Sequence, residues 1–209
     1  MASPATALNL NITATAVGEW LDSPLDGSPD TFIAGITNTL SPISNDIETR
    51  GFYEFNLGGA PSTITQATLK LGPVKASGFS QCGILRPCPT VTSVAIHAYA
   101  GDGVITAGDW GAGSLVSNAA LPADGQIFML DVTSAVQALL TNGDPFAGFS
   151  SVGTQAGTVS FSTVPASGTF ELMIVPEPNA VLLQVSILGA AALTMRRRRT
   201  SRRIGRSAR

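Results

Sequence analysis

The chain has 209 residues, only 12% of them charged, and it is rich in glycine, serine, threonine and alanine. Helical bundles and coiled coils need far more Glu, Lys, Arg and Leu in amphipathic register, so this composition excludes them and points to short strands joined by tight turns. The formal net charge of −2 averages two unlike parts: residues 1–178 hold all fourteen acids against four bases, a net −10, while the segment after Met195 holds eight arginines and no acid. A body this acidic does not bind nucleic acid by neutralising phosphates.

In chain order, residues 1–7 read as the remnant of a signal peptide. They lack a basic or long apolar stretch, but Ala5-Thr6-Ala7 fits the small-x-small pattern that precedes a signal-peptidase site, so the start of translation is expected further upstream. "LNLNITATAV" (8–17) alternates Leu8, Leu10, Ile12 and Ala14 with Asn9, Asn11, Thr13 and Thr15, the period of a strand. "RGFYEFNL" (50–57) sets Phe52 and Glu54 against Tyr53, Phe55 and Leu57, and "TITQATLKL" (63–71) turns Ala67, Leu69 and Leu71 inward.

Cys82 and Cys88 follow in "SQCGILRPCPT". This spacing is not that of a four-cysteine zinc site, and the one histidine, His97, lies nine residues further on. In an oxidising compartment the pair is expected to form a disulfide that closes a loop between two strands. Chain entropy assigns so short a loop about 2 kcal/mol.

"TVTSVAIHAYA" (90–100) places Val94, Ile96, Ala98 and Ala100 on one face and His97 on the other. "QIFMLDV" (126–132), "FAGFSSV" (146–152), "TVSFSTV" (158–164) and "TFELMIV" (169–175) complete the predicted strands, with Gly/Pro/Asn/Asp turns between them. One segment has helical period: "DVTSAVQALLTNG" (131–143) groups Val132, Val136, Leu139 and Leu140, with Asp131 or Thr133 to cap its start and Gly143 to end it. The expected fold is all-β, a β-sandwich of the jelly-roll type with about eight strands and one short helix.

Candidate chemistry is sparse. A Ser–His–Asp triad would have to use His97, and the chain has no GxSxG elbow. "AGDGVITAGDWGAGS" (100–114) is the most distinctive loop. Asp102 and Asp109 there are candidate calcium ligands, with glycine-freed carbonyls to complete the shell, although the spacing is not that of an EF-hand. The competing reading is a glycine-rich turn whose aspartates bond local amides. Trp110, with Trp20 and Tyr99, is the candidate face for stacking a sugar ring, against the competing reading that isolated aromatics of a sandwich belong to its core.

After residue 175 the chain reads "PEPNAVLLQVSILGAAALTMRRRR". Pro176 and Pro178 stop regular structure and hold Glu177 extended. Residues 180–195 carry no charge and would make a helix about 24 Å long. That is slightly short of a hydrocarbon core of roughly 30 Å, a mismatch that snorkelling arginines and local thinning absorb. The span lacks the polar face of a core helix. Arg196, Arg197, Arg198 and Arg199 place its C-terminal end in the cytoplasm, with residues 196–209 as a basic tail.

The order Pro176-Glu177-Pro178, apolar span, arginine block resembles the PEP-CTERM sorting signal of Gram-negative bacteria. That resemblance implies export across the inner membrane, a transient tether and processing near the tripeptide by an exosortase. It also implies association with exopolysaccharide at the cell surface or in the matrix. The extension 200–209 departs from the usual pattern, in which the chain stops soon after the first basic cluster.

A second resemblance rests on "RGFYEFNL…ITQATLKL", "HAYAGDGVITAGDW" and "LDVTSAVQALL…FAGFS". They are similar to the extracellular jelly-roll domain often paired with such tails, and to carbohydrate-binding-module-like domains. Together these imply an extracytoplasmic domain over residues 8–175, with residues 176–209 as an address. The expected role is a non-enzymatic surface or matrix protein without a required cofactor. A glycan-specific binding module and a secreted hydrolase are the alternatives.

Overall fold

In a computed structural model that describes residues 8–23, 26–35, 38–40, 47–77, 91–155, 157–161 and 170–177, the alternating segments form strands in two antiparallel sheets. The first sheet holds β1 (Leu10–Thr13), β12 (Glu171–Pro176), β6 (Ile64–Ser77) and β9 (Ile127–Asp131) in that order. The second runs β3 (Thr31–Ala34), β2 (Ala16–Asp22), β5 (Glu48–Asn56), β10 (Phe146–Gly153), β7 (Ser93–Gly101), β8 (Ser114–Ala120). β4 (Asn38–Leu40) and β11 (Thr158–Phe161) join β5 to the distal half of β6, so β6 serves both sheets. The register of β6 slips beside Pro73, which has no amide to donate to the ladder.

Leu69, Leu71, Phe128, Leu172 and Ile174 of the first sheet meet Tyr53, Phe55, Val94, Ile96 and Phe149 of the second, all fully buried. Tyr53 packs on Phe170 at 5.1 Å, and Phe55 meets Phe149 edge-on at 6.0 Å, both within the range of favourable ring pairs. Helix α1 (Thr133–Asn142) closes one end with Val136 and Leu139 buried. Its N-cap is Val132, without a side-chain cap, in place of Asp131 or Thr133; Asp131, one residue earlier, accepts from the Thr133 amide at 2.9 Å and the Thr133 hydroxyl at 2.6 Å. Gly143, at φ 79°, ends it in the left-handed conformation.

Two expectations change. The single strand predicted over 8–17 is two strands in different sheets. Ala14 N donates to Phe170 O at 2.9 Å on one side, and Thr15 N donates to Glu54 O at 2.7 Å on the other. Leu10, Ile12 and Ala14 face the main core, then Ala16 joins the outer cluster and Val17 turns inward, so the inward set changes parity at the bend while the apolar spacing in the sequence runs on. The described residues also form twelve strands in place of about eight. β3 and β8 are edge strands, and β3 is exposed at all four positions, so neither carries a clear inward stripe.

Among the described residues no helix is long and apolar enough to cross a membrane. The predicted span 180–195, Arg196–Arg199, Pro178, Cys82 and Cys88, and residues 1–7 lie outside the described residues.

Candidate functional site

β5 is buried on both faces, because something covers the outside of the second sheet. Arg50, Phe52 and Glu54 point outward while Tyr53 and Phe55 face the main core. The register sets Ala16 of β2, Glu54 of β5, Gly148 of β10 and Tyr99 of β7 in one cross-strand row. The Tyr99 ring lies directly over Gly148: a β-carbon there would sit 2.3 Å from its Cε2 and Cζ. Only glycine at 148 lets the phenol reach across the strand towards Glu54.

The cover is residues 102–113, a strap between β7 and β8 that contains a 3-10 turn over Ala107–Gly111. It lowers Ile105 and Trp110 onto Phe52 and Tyr99, forming a second apolar cluster. Gly113 allows the strap to rejoin the sheet. Its φ is +89°, and a β-carbon there would lie 2.3 Å from the Ala98 carbonyl oxygen.

Beneath the strap Glu54 is fully buried. One carboxylate oxygen, Oε2, accepts from the Gly103 amide at 2.5 Å. The other, Oε1, lies against Gly101, and the Tyr99 hydroxyl approaches the carboxyl, but neither Oε1 nor the hydroxyl completes a well-formed hydrogen bond. Burial raises the Glu54 carboxyl above its ordinary value; the Gly103 amide and the Tyr99 hydroxyl pull it back, and Asp109 and Asp102 push it up again. The Tyr99 phenol is pushed far above its ordinary value, by burial first and then by the charge of Glu54 and Asp109. Tyr99 therefore keeps its proton. The arrangement can exchange one proton, at Glu54.

The residues singled out in the sequence have other duties. Asp102 accepts from the Val104 amide at 2.9 Å. Asp109 accepts from the Thr106 amide at 2.7 Å and the Thr106 hydroxyl at 3.1 Å. Both aspartates thus hold turns of the strap. Among the described residues no group of three His, Cys, Asp or Glu side chains is arranged to hold a metal ion. Trp110 is not a solvent-facing platform: it is 7% exposed, with the Arg50 guanidinium 4.4 Å above its ring and Arg50 Nη1 donating to its carbonyl. A sugar would have to displace that cation. Arg50 also pairs with Glu48.

His97 is half-buried and faces Ser150 across the ladder. Burial, and then Arg50, hold its imidazole below the ordinary value. Pro176 is the last residue of β12, and exposed Glu177 donates its amide to Thr63 O at 3.3 Å. An open groove of about 410 Å³, lined by Pro73, Val74, Lys75, Asp124 and Gly125, shares no residue with the strap.

Sequence reasoning missed Glu54 and Arg50, and it took Tyr99 for part of a stacking face when it is buried beside Glu54. The available signal was a lone carboxylate at mid-strand in "GFYEFN", on the same face as Phe52. Comparison of the sequence with protein-family models and with curated proteins returns no match.

Proposed function

We propose that the chain is an exported, non-enzymatic surface or extracellular-matrix protein, a jelly roll carried across the inner membrane and held there transiently by its C-terminal segment. In this reading an exosortase processes it near Pro176-Glu177-Pro178, residues 180–195 span the bilayer, and Arg196–Arg199 stay in the cytoplasm. The domain then works at the cell surface, in association with exopolysaccharide. One observation carries the reading: the ordered succession of Pro-Glu-Pro, uncharged span and arginine block begins where β12 ends, at Pro176. The net −10 of residues 1–178 suits a solvated domain among polymers, and the sole histidine has no nucleophile elbow to serve.

The test is fractionation of cells that carry the full-length gene and an exosortase. Membrane-bound precursor and shortened surface or released product are expected, with both cysteines oxidised. Intact, soluble, cytoplasmic protein with reduced thiols would refute the proposal.

A further inference from the structure

The strap is fastened to the sheet at few points. Its own hydrogen bonds are mostly internal: Val104 to Asp102, Thr106 to Asp109, Asp109 N to Thr106 O, and Ala112 N to Asp109 O. Two polar attachments reach the sheet beneath it, the Gly103 amide on Glu54 and the Trp110 carbonyl on Arg50. Ile105 and Trp110 supply the apolar contact. Gly103 and Gly113, at φ +94° and +89°, stand near the two ends, where pivoting is least restricted.

We infer that Glu54 is a proton-operated latch on this strap: neutral, it lets the strap close over the second sheet, and ionised, it biases the strap open and bares Phe52, Tyr99 and Trp110. The charges that meet Glu54 favour this direction. The strap contributes Asp102 and Asp109, both negative. β7 contributes Tyr99, which keeps its proton. β2 and β10 set Ala16 and Gly148 opposite it, and neither titrates. Arg50, four residues back along β5, is committed to Glu48 and Trp110, and His97 beyond it feels Arg50.

Ionisation thus places a negative charge on a fully buried group, beneath the two more exposed aspartates of the strap, where a single amide and one phenol answer it. In the open state water hydrates that charge. Proton release and opening are therefore linked, and one proton limits the change in the open-to-closed ratio to about tenfold per pH unit. The latch does not depend on the tail being a sorting signal.

The chain has two tryptophans, so Trp20→Phe leaves Trp110 as the only indole reporter. Acrylamide quenching and emission wavelength would be followed from about pH 4 to about pH 9, a range that brackets the ordinary carboxyl and imidazole values. Trp110 is expected to pass from shielded and blue-emitting to accessible and red-shifted in one single-proton step. Adding Glu54→Gln should leave it shielded throughout. Shielding at every pH in Trp20→Phe overturns the latch, and so does a step that survives Glu54→Gln. Should either variant fail to fold, amide exchange in the unaltered chain decides. Protection at Gly103 must fall through the step while that of β10 holds. Loss at both together, or at neither, rejects the proposal.

Discussion

Replacing Gly148 by alanine tests the row on which the buried acid depends. The new methyl carbon would sit 2.3 Å from two ring atoms of Tyr99 and 2.6 Å from a third. Ordinary carbon–carbon contact is about 3.5–4.0 Å, so the ring must retreat by more than 1 Å. Tyr99 is 5% exposed and packed under Ile105 and Trp110, which leaves it no free direction. Overpacking of this kind costs about 1–3 kcal/mol. The lower backbone entropy of unfolded alanine returns about 0.5–1 kcal/mol. The net expectation is a loss of up to about 2.5 kcal/mol, or up to about 10 °C in melting temperature for a domain of this size.

Urea unfolding followed by far-ultraviolet circular dichroism measures it, with Tyr99→Ala and the double variant completing a cycle. In the Tyr99→Ala background the Gly148→Ala penalty should vanish or reverse sign. A stabilising Gly148→Ala in the native background, or a penalty that persists unchanged in the Tyr99→Ala background, would refute the placement of the Tyr99 ring.

Gly113→Ala should be worse, because it combines a left-handed φ with a methyl 2.3 Å from a backbone oxygen; a loss of at least about 2 kcal/mol is expected in the same assay. Glu54 has a raised folded value, so its contribution to stability is complete below its ordinary value of 4.5 and is lost as pH rises through the folded value. Unfolding free energies measured across that window should fall by at most about 1.4 kcal/mol per pH unit, and Glu54→Gln should flatten that slope. His97 has the opposite sign: its contribution is present above 6.5 and lost as pH falls through the lowered folded value, so His97→Gln should reduce acid sensitivity near pH 6. Leu172→Ala, at a fully buried position between the sheets, should cost about 2–5 kcal/mol in urea unfolding. Titration of the denatured, unreduced protein with a thiol reagent should find no free thiol at Cys82 or Cys88; two reactive thiols would remove the disulfide.

Much of the fold was legible in the chain. "RGFYEFNL", "TVTSVAIHAYA" and "TFELMIV" announce strands because a pleated ladder presents alternate residues to opposite faces, a relation internal to each segment. The helix at Thr133–Asn142 was equally legible, since Asp131, the Val132–Val136–Leu139 spacing and Gly143 lie within one short window. The crossing at Ala14–Thr15 was not, because it depends on whether Phe170 or Glu54 supplies the acceptor, and those residues lie far along the chain.

The candidate site divides in the same way. Composition and the order of residues 176–199 by themselves carry the address reading, since charge, apolar length and proline are properties of a segment. The fate of Trp110 and Glu54 was decided only by tertiary structure. Trp110 is covered by Arg50, sixty residues away in sequence, and Glu54 is buried by a strap whose Gly103 lies forty-nine residues further on. A side chain's solvent is set by whatever folds over it, and that partner leaves no periodic trace in the strand that carries the side chain.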